Sequence, residues 1–272
     1  MEARKEMIMR RLQEHYDYLI SHGYNVIGLF LQGSQNYELD IYSEEYCSDI
    51  DSKAIILPSL EDIVSSIKPL STTIVLENNE HIDVKDIRIW KEMFLKENIS
   101  YIEILYTDFF IVTPGFEDVI NDLQSHADDI VSYDLSRFVK TIWGMALEKQ
   151  KALRHPYPTI VDKIEKFGYD PKQLHHIVRL NYFMKYFKWT GSIQSSFIPT
   201  QSAKEYLLKI KQGYLSNDIV DMIADIHMEE LKTNVDEFVE NNVCVHESTK
   251  EWLDKLVYDV ILKDIKEKLL NE

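Results

Sequence analysis

The hydrophobic pattern of this chain changes near residue 115, and this change constrains the fold more than any other feature. Before it, short apolar runs predict strands, with helical spacing between some of them. Strands are predicted over 25–32, 49–57, 72–76 and 81–84, a strand or buried segment over 109–112, and helices over 2–21, 60–67, 87–96 and 101–106. After it, helices are predicted over 116–131, 136–153, 171–189, 202–212, 217–240 and 249–269. This order predicts an α+β fold, with a small mixed β-sheet domain over 1–115 and an all-α helical domain over 116–272.

The charge balance narrows the classes of partner. The chain has 272 residues, enough for one large or two small domains, and a formal net charge of −16 from 30 basic and 46 acidic side chains. A protein that grips long duplex nucleic acid needs an excess of lysine and arginine along its surface. Long duplexes are therefore disfavoured as partners, whereas a local basic patch is compatible with a triphosphate or one end of a structured RNA.

Composition also bears on location. Two cysteines, Cys47 and Cys244, predict neither a disulfide framework nor a zinc site. No apolar run reaches the length of a membrane-spanning helix, and the first residues are charged. We expect a soluble, cytoplasmic protein.

A Gly-Ser turn and a pair of carboxylates are the clearest chemical motif. Gly33-Ser34 follows the first predicted strand, and Asp49 and Asp51 open the second. Side chains alternate along a strand, so both carboxylates are predicted on one face, with Ile50 turned toward the core. Carboxylate oxygens suit Mg²⁺, and a small-residue turn lets backbone N–H groups approach a phosphate. The pattern predicts a divalent-metal and phosphate site, although the D-x-D motif alone is typical of a solvated strand end.

A two-metal site needs a third carboxylate. Four acidic residues follow at suitable distance in the chain: Glu77, Glu80, Asp83 and Asp86. Asp83 lies between Ile82 and Val84 and so faces away from both, which favours it as the ligand. Asp86 directly precedes a predicted helix and is typical of an N-cap. Glu77 and Glu80 flank a turn and are expected to be solvated.

A second cluster lies far downstream. Asp170 and Pro171 are typical of a helix start, as N-cap and first helical residue. On that helix Lys172, His176 and Arg179 are spaced at i, i+4 and i+7 and share a face. This face suits an anionic ligand such as a triphosphate. The alternative is a charged, solvated stripe, which is the commoner role of a lone cluster of this kind.

These motifs, taken in order, resemble a bacterial and phage family of predicted nucleotidyltransferases within the DNA polymerase beta superfamily. The resemblance covers roughly residues 25–225. The matching residues are Gly33, Ser34, Tyr37, Ser48, Asp49, Asp51, Asp83, Asn98, Glu103, Leu105, Lys172, His176, Arg179 and Leu180, with the stretch Ile210-Lys211-Gln212-Gly213. The chain departs from the family at Glu38, where a glycine is usual, in a longer acidic loop before Asp49, and at Ile99-Ser100.

The resemblance implies a metal-dependent transfer of a nucleoside monophosphate from ATP or another nucleoside triphosphate to a hydroxyl acceptor. Asp49, Asp51 and Asp83 would be the catalytic metal ligands for Mg²⁺ or Mn²⁺. Gly33, Ser34, Lys172, His176 and Arg179 would bind the substrate. The acceptor stays open between an RNA end such as that of tRNA, a protein hydroxyl and a small molecule. The alternative is an inactive nucleotide-binding or toxin–antitoxin-type interaction protein that keeps the fold.

Overall fold

The structure, a computed structural model, describes residues 2–42, 48–158, 160–242 and 244–271. Its strands are β1 (Val26–Gln32), β2 (Asp51–Ile56), β3 (Ser71–Val75), β4 (His81–Asp86) and β5 (Phe110–Val112). Its α-helices are α1 (Glu2–Ser21), α2 (Leu60–Val64), α3 (Ile87–Leu95), α4 (Ile99–Ile102), α5 (Glu117–Ser125), α6 (Ala127–Val131), α7 (Leu135–Ala152), α8 (Val161–Phe167), α9 (Pro171–Thr190), α10 (Ile193–Phe197), α11 (Gln201–Lys211), α12 (Asn217–Asn241) and α13 (Glu247–Asn271). Short 3-10 helices cover Gly33–Tyr37, Glu103–Tyr106 and Ser132–Asp134. The predicted α+β class is confirmed.

The described strands form one mixed sheet in the order β3-β4-β2-β1-β5. β2 and β4 are parallel neighbours, and the other pairs are antiparallel. One face of this sheet is apolar and packs with α1 into a core that includes Ile8, Leu12, Leu31, Ile82 and Val84. Burial of that face leaves the opposite side chains of β2 and β4 available for polar chemistry.

Several element boundaries differ from the predicted ones. β2 begins at Asp51, two residues later than expected. The predicted helix over 116–131 is interrupted at His126 between α5 and α6. The short helices α8 and α10 had no sequence prediction, because five to seven residues carry too little periodicity to distinguish them from loops.

The described chain divides into two compact units, each described by itself. The sheet unit contains the five strands, α1 to α6 and α13. The helical unit contains α7 to α12 together with residues 37–42. This division differs from the single boundary predicted near residue 115, since α5, α6 and α13 group with the sheet.

Helix α9 begins and ends as its sequence predicts. The Asp170 side chain accepts a hydrogen bond from the Lys172 backbone N–H at 3.0 Å, and Pro171 occupies the first helical position. Gly191 ends the helix with a φ of +69°, a left-handed conformation that glycine adopts without strain.

Within the described ranges, no helix is both long and apolar enough to cross a lipid bilayer. Cys244 is an exposed free thiol. Cys47 lies outside the described residues.

Candidate active site

Two charged side chains from β2 and two from β4 share the face of the sheet opposite the α1 core. The parallel pairing places Lys53 directly beside Asp83. Asp51 precedes Lys53 by two residues, and Lys85 follows Asp83 by two, so the alternation of each strand puts all four on one side. The sheet thus presents carboxylates and ammonium groups in alternation.

Three of these side chains, Asp51, Asp83 and Lys85, line an open cleft of about 390 Å³, which we call the sheet cleft. Its lining residues are Gln32, Asp51, Ser52, Thr73, His81, Asp83, Lys85 and Tyr101. Gln32 lines the cleft because β1 pairs it with Asp51, and Thr73 lines it because β3 pairs it with Asp83. The cleft is therefore built across four neighbouring strands, which hold its carboxylates in a fixed relation.

Asp83 is held by two neighbours in the sheet cleft. Its Oδ1 is bonded by the Lys85 ammonium, and its Oδ2 accepts a hydrogen bond from the Tyr101 hydroxyl at 3.3 Å. Burial lowers the pKa of Lys85, but the hydrogen bond to Asp83, the charge of that carboxylate and the contact with Tyr101 together outweigh burial, and the net pKa is raised. Burial and the adjacent Asp83 also raise the pKa of Tyr101. Both groups therefore stay protonated near neutral pH and present donors to Asp83.

Asp51 is half-buried at the start of β2. Its Oδ1 accepts the backbone N–H of His81 at 2.9 Å and lies 3.2 Å from the imidazole Nδ1 of the same residue. The first bond ties the start of β2 to the start of β4. Asp51 and Asp83 are thus positioned by the same strand pair.

Asp49 is not where we predicted it. Because β2 begins at Asp51, Asp49 is an exposed residue in the segment before the strand, and strand alternation does not set its direction. Ile50 is buried in the α1 core as expected. The D-x-D motif therefore contributes one carboxylate from the strand and one from the segment that precedes it.

The donor types suit a hard cation, but the described residues do not assemble a complete metal site. Among them, no group of three or more His, Cys, Asp or Glu side chains is close enough to hold a metal ion. The carboxylate oxygens of Asp51 and Asp83 are ligands that Mg²⁺ and Mn²⁺ prefer. In this structure those oxygens are bonded by His81 and Lys85 instead.

The Gly33-Ser34 turn lies next to the sheet cleft in the chain. Gly33 has a φ of +85°, which other residues reach only with strain, and it begins the 3-10 helix Gly33–Tyr37. Gln32, the residue before it, pairs with Asp51 and lines the cleft. The turn predicted from the sequence is therefore present and adjoins the carboxylates through Gln32.

The second predicted cluster belongs to the helical unit. On α9, Lys172 is exposed, His176 is half-buried and Arg179 is buried. The Arg179 guanidinium lies 4.2 Å from the centre of the Tyr37 ring. Burial, together with the neighbouring His175 and Arg179, lowers the pKa of His176 well below its usual value, so this imidazole is neutral at physiological pH. The three residues do not form the uniformly solvated stripe that was the alternative to a binding face.

Asp83 and Asp86, the two alternatives for the third carboxylate, lie in different surroundings. Asp86 accepts the Arg88 backbone N–H at 2.8 Å and pairs with the Arg88 side chain, as expected of an N-cap. Asp83 faces the sheet cleft. The expectation that Glu80 is solvated is wrong: it is only 8% exposed.

Glu80 is buried because partners from α1 and from the segment before β2 surround it. Its Oε2 accepts from Arg11 Nη2 at 2.6 Å and lies 2.9 Å from His15 Nε2. Its Oε1 accepts the backbone N–H of Ile50 at 3.4 Å, and His15 Nδ1 contacts the Ser52 hydroxyl at 2.8 Å. This network ties the centre of the D-x-D motif to α1. His15 and Arg11 are 65 and 69 residues from Glu80, so no local sequence signal indicated them.

The two lysines of the sheet face were also missed from the sequence. A signal was present, since Asp51-Ser52-Lys53 and Asp83-Val84-Lys85 repeat the same D-x-K pattern on two strands. Lys53 bonds the Ser100 carbonyl, lies 3.3 Å from Glu103 and sits 4.8 Å from the Tyr101 ring centre. Burial lowers the pKa of Lys53 to about 7, against the opposing effect of Asp83.

Lys53 makes stability depend on pH. In the unfolded chain it titrates near its ordinary pKa of 10.5, so between about 7 and 10.5 the unfolded state binds a proton that the folded state lacks. We therefore expect the free energy of unfolding to rise as pH rises through this range, with the full penalty of charging Lys53 present below about 7. Urea denaturation across this range should show a steeper rise for wild type than for Lys53→Met, which cannot titrate. Equal slopes for the two proteins would contradict the assignment.

Comparison with known proteins gives little further guidance. No protein-family model matches the chain, and no curated protein matches it. Among solved structures, it is similar to a nucleotidyltransferase-like protein from Exiguobacterium sibiricum 255-15. That similarity has 10% sequence identity and a TM-score of 0.30, and covers 84% of this chain and 74% of the other. A likeness this distant carries no argument about function.

Proposed function

We propose that this protein is a metal-dependent nucleotidyltransferase. It would transfer a nucleoside monophosphate from a nucleoside triphosphate to a hydroxyl acceptor and release pyrophosphate. The observation that supports this most is the sheet cleft, where Asp51 and Asp83 share one face of a parallel strand pair. The Gly33-Ser34 turn beside it and the ordered sequence motifs agree with the same chemistry.

Asp51 and Asp83, with Asp49 from the preceding segment, would hold Mg²⁺ or Mn²⁺. When bound, the ion would neutralise phosphate charge and lower the pKa of a coordinated hydroxyl. Among the described residues, Asp49, Asp51 and Asp83 do not form a group of three that could hold an ion.

The protein's own groups have separate roles. Asp83 would accept the proton of the acceptor hydroxyl, and the Tyr101 hydroxyl, 3.3 Å from its Oδ2, would orient that carboxylate. Lys85, whose pKa is raised, would remain charged and offset phosphate charge in the sheet cleft. The backbone N–H groups of Gly33 and Ser34 would contact phosphate oxygens. Substrate binding by Lys172, His176 and Arg179 stays a prediction.

The net charge of the protein is the property that restricts the class of acceptor. With a net charge of −16, long duplex nucleic acid remains disfavoured. An RNA end such as that of tRNA, a protein hydroxyl and a small molecule all stay compatible with an open cleft.

One observation favours a second candidate, nucleotide binding without transfer. Asp83 is occupied by Lys85 and Tyr101 rather than left open toward a metal. A protein that keeps this arrangement with a nucleotide bound would serve as an interaction protein, as in a toxin–antitoxin pair.

Labelled nucleotides distinguish the two. The protein is incubated with each α-labelled nucleoside triphosphate, Mg²⁺ or Mn²⁺, and total lysate, and label is followed into RNA, protein and small molecules. Transfer and pyrophosphate release that EDTA abolishes support the enzyme, with Asp49→Ala as the inactive control. Metal-independent binding of a triphosphate without turnover supports the second candidate. The absence of label and pyrophosphate under every condition, for wild type as for Asp49→Ala, rejects the enzyme.

A further inference from the structure

We propose that two copies of this protein pair through strand β3, so that their sheets join about a twofold axis at Thr73. β3 lies at the edge of the sheet, and within the described ranges the strand that pairs with it is β4 alone. An edge strand presents backbone N–H and C=O groups that can pair with another strand. The proposal concerns assembly and does not depend on nucleotidyl transfer.

The outward backbone groups of β3 belong to alternate residues. The Leu76 N–H donates to the Glu80 carbonyl at 2.9 Å, and the Leu70 carbonyl accepts from the Asp86 N–H at 3.0 Å. Because the direction of these groups alternates along an antiparallel strand, the even-numbered residues of this segment face β4 and the odd-numbered ones face away from it. The residues that face away from β4 are Ser71, Thr73 and Val75, all exposed. We call their backbone N–H and C=O groups the β3 edge.

The β3 edge lacks the features that usually prevent a second strand from pairing. Ser71–Val75 contains no charged residue and no proline, and its register with β4 is continuous. The Val75 side chain is 60% exposed. Natural proteins usually block an exposed edge with a lysine, a proline or a β-bulge. The sequence of β3 therefore does not oppose the addition of another strand.

The β3 edge is complementary to itself. Ser71 and Val75 lie two residues before and after Thr73, so a twofold axis at Thr73 sets Thr73 opposite its own copy and Ser71 opposite Val75. Residues that face each other in this way exchange two hydrogen bonds in an antiparallel pair. Hydrogen bonds between facing threonines also stabilise neighbouring strands. One symmetric contact would therefore pair every backbone group of the β3 edge.

The residues between these pairs bring apolar side chains together. The same axis places Leu70 opposite Leu76, and Thr72 opposite Ile74, of the second copy. Ile74 and Leu76 pack against the α1 core, and Leu70 is 41% exposed. These are the closer, non-hydrogen-bonded positions of an antiparallel pair. Pairing would continue the apolar face of the sheet into the second copy and remove leucine surface from water.

The charges beside β3 favour a second copy as the occupant, although each copy has a net charge of −16. Lys68 lies before the strand and Glu77 after it, and both are exposed. An antiparallel arrangement brings Lys68 of each copy to the end that holds Glu77 of the other, which sets opposite charges near each other at both ends. The contact also closes with two copies, because it uses the β3 edge of both.

Pairing at β3 would bring the two sheet clefts together. Thr73 lines the sheet cleft through its position beside Asp83. In a hydrogen-bonded antiparallel pair the facing Cα atoms lie about 5.5 Å apart, so Thr73 of the second copy would extend the wall of this cleft. The two clefts would then adjoin across the twofold axis.

The test is the oligomeric state of the full chain, measured by sedimentation equilibrium over a wide range of protein concentration. A five-residue strand buries less area than a standard interface, so we expect a concentration-dependent dimer. Thr73→Lys sets two ammonium groups opposite each other and should weaken the dimer about 10-fold or more, and Thr73→Glu should do the same with two carboxylates. Thr233→Lys, at an exposed threonine of α12, is the matched control and should leave the dimer unchanged.

An equimolar mixture of Thr73→Lys and Thr73→Glu should associate again, because a twofold contact at Thr73 sets residue 73 against itself. Thr73→Pro is a second variant without added charge. It removes an outward N–H, which an edge strand tolerates, and should also weaken the dimer. Circular dichroism shows whether each variant is folded.

The contrary results are distinct. Wild type that stays monomeric at every concentration overturns the proposal. A dimer that folded Thr73→Lys and Thr73→Pro leave unchanged forms through another surface. Weakening in both charge variants without recovery in their mixture rejects the twofold register and indicates that the β3 edge takes an extended segment of another protein. Because no nucleotide or metal is added, these results stand whether or not the protein transfers nucleotides.

Discussion

Replacing Asp83 with asparagine will reduce nucleotidyl transfer by about 1000-fold or more, if transfer proceeds in the sheet cleft as proposed. Asparagine keeps the size of the side chain and one carbonyl acceptor for the Tyr101 hydroxyl, now at 3.3 Å. It removes the negative charge that would hold a cation and accept the hydroxyl proton. Single-turnover transfer of an α-labelled nucleotide, measured once an acceptor fraction is known, reports the loss directly.

The matched control is Asp86→Asn, three residues along the same chain. Asp86 caps α3 and pairs with Arg88, and asparagine is nearly as good a cap as aspartate. We expect this variant to lose some helix stability with the Arg88 pair and to retain transfer. The reverse pattern, with transfer lost in Asp86→Asn and kept in Asp83→Asn, would identify Asp86 as the third carboxylate.

Loss of charge at Asp83 also leaves Lys85 without its carboxylate partner. The unfolding transition of Asp83→Asn should therefore be measured beside its activity. A variant that is folded and inactive supports a chemical role, whereas inactivity that follows unfolding does not.

Replacing Glu80 with alanine will lower the free energy of unfolding by about 3 kcal/mol. This single substitution removes the carboxylate that is hydrogen-bonded to Arg11, His15 and the backbone N–H of Ile50. His15 has no exposed surface and cannot replace the lost bond with water. Equilibrium denaturation in urea measures the difference.

Glu77→Ala is the matched control for Glu80→Ala, because Glu77 is an exposed glutamate three residues earlier beside the same turn. Its free energy of unfolding should change by no more than about 0.5 kcal/mol. If both variants lower the free energy of unfolding by the same amount, the hydrogen bonds of Glu80 stabilise the fold no more than an exposed glutamate does.

The contribution of Glu80 should also vary with pH. Burial raises its pKa, but the hydrogen bonds with Arg11, His15 and Asn78 and the charge of Arg11 together outweigh burial, so the net pKa is lowered from 4.5. Ionised Glu80 therefore stabilises the fold fully above this ordinary value, and the stabilisation is lost as pH falls through the lowered pKa. The stability gap between wild type and Glu80→Gln should narrow in that acidic range.

Short-range patterns in the sequence predicted much of the site. Alternation in β4 put Ile82 and Val84 in the core and turned Asp83 away from it. Asp86 and Asp170 were each expected to cap a helix, and both do. These features depend on residues within four positions of one another, so the sequence carries their whole physical cause.

Local patterns could not predict that β2 begins at Asp51. Asp49 and Ile50 continue the pattern of β2, but pairing with β1 starts at Gln32 and Asp51. A strand ends where its neighbour stops offering hydrogen bonds, and the neighbour is set by the sheet as a whole.

The α+β class, the order of most elements and the outward direction of Asp83 in β4 follow from local patterns in the chain. The position of Lys53 beside Asp83, the burial of Glu80 between Arg11 and His15, and the grouping of α13 with the sheet depend on the complete fold. The physical reason is the range of the interactions. Periodicity and capping act within a few residues, whereas strand register and buried ion pairs join residues far apart in the chain, which come together only when the whole unit folds.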